Sequence, residues 1–253
     1  MKLFLCFFLL PFIVSTNEIA VNKTELLSPA IEHREWDNLL KKYVTKEGVV
    51  NYKGFLAEIK NLDAYLAMLS KNPPAENWSK DETKAFWINA YNAFTVKLVT
   101  QYYPLKSIKD IGSKVQIPFV NTPWDVKFIT IGTEKMDLNN IEHGKLRKQF
   151  DDPRVHFAIV CASASCPILL NEAYLASKLN SQLDKQAEVF LSDPKRNIVT
   201  KTNPKLSKLF DWYNGDFTKK TTLVEFINKY SKVKIDANAK LSYLTYSWEL
   251  NDK

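Results

Sequence analysis

Asp81 to Val99 reads DETKAFWINAYNAFTVKLV. Its apolar residues, Phe86, Ala90, Ala93, Phe94 and most of the Val96–Val99 run, cover nearly every side of a 3.6-residue turn. That pattern predicts a helix from Asp81 to just before Pro104, and a helix apolar all round belongs at the centre of a core. Asn89 and Asn92 interrupt it, three residues apart on one face. A buried amide without partners costs a few kcal/mol. These two therefore either bond neighbouring loops and fix the core, or orient a catalytic histidine or substrate.

Outward from this helix, Trp36, Leu39, Leu40 and Tyr43 recur at helical spacing, and a second amphipathic helix is predicted over Leu56 to Ser70. Lys71-Asn72-Pro73-Pro74 is a loop signal. Alternation between Val115 and Ile131 predicts two strands joined near Asn121 to Pro123. Asp137 is placed to cap a helix running through Phe150. The apolar run Val155 to Val160 is expected as a strand, and Pro167 to Leu191 as a helix. A hairpin around Asn203-Pro204, a helix over Thr222 to Tyr230 and a last extended segment from Leu241 to Trp248 follow. The expected fold class is α+β: one helix-rich domain over residues 30–253 with a small, mainly antiparallel sheet. No repeat or long linker divides it.

The first residues, MKLFLCFFLLPFIVSTN, place Lys2 before an apolar run and small polar residues after it. This is the order of a cleaved secretory signal, expected over residues 1–17. The run is too short for a membrane span, which needs about 20 apolar residues. The expected product is secreted or periplasmic, with no transmembrane segment in the mature chain. Net charge is +7, but the lysines are scattered and no basic stripe with interleaved aromatics marks a nucleic-acid surface. Loss of Cys6 with the signal leaves Cys161 and Cys166, too few to staple a chain this long.

Those two cysteines therefore need a local explanation. Pro is favoured at the first helical position, so Pro167 predicts Cys166 as the N-cap of the next helix. A thiol there faces unpaired N–H groups and the positive end of the helix dipole, which favours thiolate. The same N–H groups would stabilise an oxyanion. A cysteine nucleophile needs a base. His143 is the preferred one and His156 the secondary one, because a strand would hold His156 roughly 13 Å from the thiol at about 3.3 Å per residue. Glu142 points about 100° away from His143 on the same helix, leaving Asn89 or Asn92 as the orienting amide. Two rivals stay open. Cys161 and Cys166 could close a small disulfide, worth roughly 2 kcal/mol in the entropy model. Alternatively, His143, His156 and the two cysteines could bind a metal, although the spacing is unlike the usual zinc patterns.

The segments FWINAYNAFTV (86–96), IEHGKLR (141–147), DPRVHFAIVCASASCP (152–167) and NEAY (171–174) resemble the domain of unknown function 547 family. WYNGDF (212–217) and YLTYSWELND (243–252) are similar to its later blocks. The resemblance implies that Asn89, Asn92, Glu142, His143, His156, Cys161 and Cys166 occupy signature positions. It also implies that some relatives carry Ser at the position of Cys166, which makes Cys161 the alternative nucleophile. The family's Tyr-Asp-Trp is here Tyr246-Ser247-Trp248.

These readings converge on a thiol-dependent hydrolase or acyl transferase with a papain- or transglutaminase-like arrangement. It would act on an unknown small-molecule or peptide substrate (an amide, peptide or thioester) and needs no cofactor. The alternatives are a non-enzymatic envelope binding domain shaped by a Cys161–Cys166 disulfide, and a redox or metal-handling protein.

Overall fold

A computed structural model describes residues 30–112 and 122–253. The expected signal segment, and the first of the two strands expected between 115 and 131, lie outside the described residues. The fold is a helix-rich α+β domain.

Helix α4 (Lys80–Tyr102) is central, as its sequence predicts. It opens on a reciprocal cap: Ser79 Oγ accepts from the Glu82 N–H at 3.1 Å, and Glu82 Oε2 accepts from the Ser79 N–H at 2.6 Å. Such a cap satisfies two of the N–H groups that a helix start leaves unpaired. From Lys84 to Val96 every residue is buried, the asparagines included. Against α4 pack α2 (Tyr52–Ala57) and α3 (Ile59–Lys71), and α1 (Arg34–Tyr43) packs on both of these. The second amphipathic helix of the sequence is thus two, broken at Glu58. Asn51 caps the extra one, its Oδ1 accepting from the Gly54 N–H at 2.8 Å.

Strand β1 (Ile129–Ile131) pairs antiparallel with β2 (Glu134–Met136), Ile131 opposite Glu134. Gly132, at φ +60°, makes the tight turn between them. This hairpin follows the turn expected at 121–123, and β1 falls within the second of the two expected strands. Asp137 caps the next helix as expected, its Oδ1 accepting from the Asn140 N–H at 2.7 Å. Helical backbone runs over 138–149 and widens to a π-helix at Asn140–Arg147.

The stretch expected as a strand is instead a 3-10 helix, Pro153–Phe157, followed by a turn. Val155 to Val160 are buried on every side. A short apolar run looks the same in a buried strand and a buried helical turn. Pro153 and Asp152, whose Oδ1 accepts from the Arg154 N–H at 3.2 Å, decide for the turn. The helix expected from Pro167 is also shorter. Residues 167–175 are irregular, and after a 3-10 turn at Ala176–Lys178, α5 spans Leu179–Ser192. Side chains satisfy this irregular backbone: Gln186 donates to the Ile168 carbonyl at 3.1 Å, and Asp37 accepts from the Ala173 N–H at 2.9 Å.

The C-terminal third builds a second apolar cluster around Phe157, Phe190, Phe210, Phe217 and Phe226. It contains β3 (Lys205–Leu206), α6 (Leu209–Trp212), α7 (Asn214–Phe217), α8 (Leu223–Tyr230) and β4 (Ser242–Tyr243). The hairpin expected at Asn203-Pro204 shrinks to one bridge, Ile198 with Lys205, and β3 pairs parallel with β4. The chain then returns to the first cluster as a strap. Ala164 N–H donates to the Glu249 carbonyl at 2.7 Å, Asn251 N–H to Ala162 at 3.0 Å, and Val50 N–H to Asn251 at 3.0 Å.

Candidate active site

A pocket of about 190 Å³ opens where the two clusters meet, with Tyr91 and Ile159 on one side and Leu209 on the other. Cys161 and Cys166 both line it, and both are free thiols. The Cys161–Cys166 disulfide considered from sequence is therefore not formed in this structure.

The loop carrying Cys161 is held from both sides. On α4, Asn92 Nδ2 donates to the Ala158 carbonyl at 2.9 Å, and its Oδ1 accepts from the Val160 N–H at 3.0 Å. Asn89 grips the other irregular segment in the same way, donating to the Tyr174 carbonyl at 2.8 Å and accepting from its N–H at 3.0 Å. The two amides are thus loop clamps. Neither orients a histidine, because both ends of each amide are occupied by backbone. Ala162, next to the thiol, sits at φ +62°, a left-handed conformation costing about 1–2 kcal/mol for a non-glycine residue. The strap secures it through the Asn251 N–H bond to its carbonyl.

Cys161 Sγ lies 3.1 Å from Ser163 Oγ and 3.2 Å from the Tyr246 hydroxyl, which are themselves 2.9 Å apart. The neighbouring Cys166 side chain also favours the ionised form of this sulfur. Cys166 first, then Ser163 and Tyr246, outweigh the opposing effect of burial and draw the Cys161 thiol down to about 7. Burial and the adjacent Cys161 push the Cys166 thiol up. Cys166 Sγ also accepts the Cys161 N–H at 3.0 Å. The electrostatic expectation is thereby corrected. No helix begins at Cys166, so no dipole lowers it, and the thiolate belongs to Cys161, stabilised by side-chain donors.

His143 does not line the pocket. Its ring is about half exposed, with Nδ1 2.9 Å from an Arg147 guanidinium nitrogen and 3.8 Å from Glu142 Oε1. His156 does line it. The strand from which the 13 Å separation was inferred is absent: the intervening backbone is a 3-10 helix and a turn, and His156 lines the same pocket as both cysteines. His156 is buried, its Nε2 is 2.7 Å from Asp216 Oδ2, and its ring lies tilted against that of Tyr213, centroids 4.0 Å apart. Arg147 binds the same carboxylate through two nitrogens, at 2.6 and 3.0 Å. His156 first and Arg147 next hold the Asp216 carboxyl far below the usual carboxylate range.

Glu142 also lines the pocket, side chain 6% exposed. Tyr91 donates to its Oε2 at 3.4 Å, while its Oε1 accepts no hydrogen bond. Trp124, Trp212, Tyr246 and Trp248 form the mouth, with ring centroids 4.6–5.8 Å apart along the cluster. Sequence reasoning gave no role to Tyr246, Ser163, Asp216 or Arg147. All four lie inside motifs quoted for the resemblance, Ser163 between the two cysteines. Their spacing along the chain carries no sign that they meet. Among the described residues, no group of three or more His, Cys, Asp or Glu side chains is arranged to hold a metal ion.

The model for the family described as Protein of unknown function, DUF547, matches residues 75–191. The match takes in α4, the π-helix, both cysteines and nearly all of α5, whereas the segments around Asp216 and Tyr246 lie beyond it. No curated protein and no solved structure matches the chain. Across this central segment, which contains Glu142, His156, Cys161 and Cys166, the chain is similar to the DUF547 family.

Proposed function

We propose that the protein is an exported thiol-dependent hydrolase or acyl transferase acting on an amide, peptide or thioester carbonyl, with Cys161 as nucleophile and His156 as proton carrier. The observation that carries this reading is the Cys161 sulfur. It is free, hydrogen-bonded toward thiolate, and set in one pocket with a histidine that a carboxylate fixes. A nucleophile, a base and a group orienting the base are the parts that covalent catalysis requires, whatever their chain order.

In this scheme the Cys161 thiolate attacks the carbonyl carbon. A C–S bond forms and the carbonyl electron pair moves to oxygen. The Tyr246 hydroxyl, 3.2 Å from the sulfur, donates to that oxyanion in this scheme. Collapse re-forms the carbonyl and expels the amine or thiol, which takes its proton from His156. Water, or an acceptor amine, then attacks the thioester and gives His156 its proton, which releases the acyl product and restores the thiolate. Asp216, held by Arg147, keeps the imidazole in place.

The test is a burst experiment with p-nitrophenyl acetate. One nitrophenolate per chain should appear rapidly, with an acetyl group on Cys161 by peptide mass spectrometry. Cys161→Ser should abolish the burst, and His156→Gln should slow release of the acetyl group by about 10²-fold or more, in the range of general acid–base contributions. Acetylation of Cys166 instead, or an unchanged burst in Cys161→Ser, would overturn the assignment.

A further inference from the structure

Glu142 is unexplained by that scheme. It is a buried carboxylate on the π-helix, its side chain 6% exposed, and Oε1 accepts no hydrogen bond although the residue lines the pocket. A buried carboxylate oxygen without a donor is costly, and such groups mark places where something else supplies the bond. The neighbouring cations do not supply it. Arg147 is engaged by Asp216 and His143, and His143 Nδ1 stays 3.8 Å away. Burial first, then the Glu142 carboxylate, push the Tyr91 and Tyr213 hydroxyls up, with Tyr213 also hydrogen-bonded to Glu142, and Cys161 acts on both hydroxyls in the same direction.

The walls point the same way. Aromatic faces attract ammonium and guanidinium groups within about 6 Å of the ring centroid. This cluster already holds two cations so: Lys109 Nζ lies 4.1 Å over the Trp248 ring, and the Arg147 guanidinium lies 5.1 Å over Tyr213. Trp212 is half exposed at the mouth. A pocket of about 190 Å³ is smaller than the roughly 300–1,000 Å³ that holds a whole drug-sized ligand. It suits the end of a substrate.

We infer that the substrate carries a protonated primary amine close to its reacting carbonyl, as an aminoacyl compound or a peptide N-terminus does, and that Glu142 Oε1 receives this ammonium beneath the Trp212 rim. The inference rests on the Cys161 reading for its chemistry, but the binding it asserts is measurable without catalysis.

The probes are propylammonium, propanol and propionate, titrated at pH 7 into the reduced full-length protein and followed by saturation-transfer NMR. Propylammonium should bind at least tenfold more tightly than either other probe and should protect Cys161 from iodoacetamide. Glu142→Gln should remove at least tenfold of its affinity and leave propanol unchanged. Trp212→Ala, at a half-exposed position that leaves the core intact, should weaken it several-fold. Equal binding of the three probes, no detectable binding, or full propylammonium affinity in a folded Glu142→Gln would overturn the inference. If Glu142→Gln fails to fold by circular dichroism, the probe ranking on the unaltered chain and the Trp212→Ala comparison decide. Acetylation of Cys161 by p-nitrophenyl acetate, measured without probes, reports separately on the nucleophile. Ammonium binding without acetylation would refute the catalytic reading alone.

Discussion

A single sulfur atom separates the two cysteines in function. Both line the same pocket, yet Cys161 collects donors while Cys166 is buried behind it and favours its ionised form. This gives a reason why serine would serve at position 166: its hydroxyl keeps a donor facing the Cys161 thiolate. The rate of Cys161 alkylation by iodoacetamide should therefore rise with an inflection near pH 7. Cys166→Ser should stay close to that profile, whereas Cys166→Ala and Tyr246→Phe should move the inflection upward. A hydrogen bond to a charged group contributes about 1.5–3 kcal/mol, so alkylation at pH 6 should fall by about tenfold or more in each of these two variants. Rates measured by mass spectrometry across pH 5 to 9 check this. A Tyr246→Phe profile overlying the wild type would remove Tyr246 from the site.

At the scale of elements, α4 does more than fill the core. Its two asparagines each satisfy one carbonyl and one N–H of an irregular loop, so the helix dictates the path of both segments flanking the cysteines. Loss of either amide orphans two buried backbone groups, each costing about 1–3 kcal/mol. Asn89→Ala and Asn92→Ala should both destabilise the protein by roughly 2–5 kcal/mol in urea unfolding. They should differ in chemistry. Asn92 holds Ala158 and Val160, just before Cys161, so Asn92→Ala should also change the alkylation rate of the folded protein. Asn89 holds Tyr174 and should leave that rate near wild type. The asparagines were conspicuous in the sequence because polar residues on an all-apolar helix demand partners. Which partners they find depends on loops 66 and 85 residues further along the chain.

Across the whole molecule, two apolar clusters share one pocket, and the 246–252 strap ties the thiol loop to the N-terminal helices. The larger cluster contains a pH-sensitive point remote from the pocket. His33 is buried beside the Tyr65 hydroxyl, 2.7 Å away, and burial lowers its pKa from 6.5 to about 4. Between these values the unfolded chain binds a proton that the native ring refuses, so stability falls as pH drops through this window. At 1.36 kcal/mol per unit the loss by pH 4 is roughly 3 kcal/mol. His33→Gln keeps an acceptor for Tyr65 and removes the titration. Its unfolding free energy should change correspondingly less between pH 6.5 and pH 4, as urea denaturation would show, and a slope identical to wild type would refute the assignment.

The sequence by itself determined the helices whose signals are local: the all-apolar α4, the amphipathic α1, the Asp137 cap and the helix over Thr222 to Tyr230 that is α8. Periodicity and capping act within one or two turns, so they can be read along the chain. It also singled out the ionisable residues Cys161, Cys166, Glu142 and His156 of the pocket, but not its aromatic wall. Only the tertiary structure decided which thiol is favoured as thiolate and which histidine shares its pocket. Cys161 owes its low pKa partly to Tyr246, 85 residues away, and His156 owes its position to Asp216, 60 residues away. The buried run before the cysteines reads equally well as strand or turn, and that ambiguity moved His156 from the far end of an expected strand into the pocket wall. A thiol's acidity follows from the donors that folding brings to it, and here those donors come from segments that no local pattern connects.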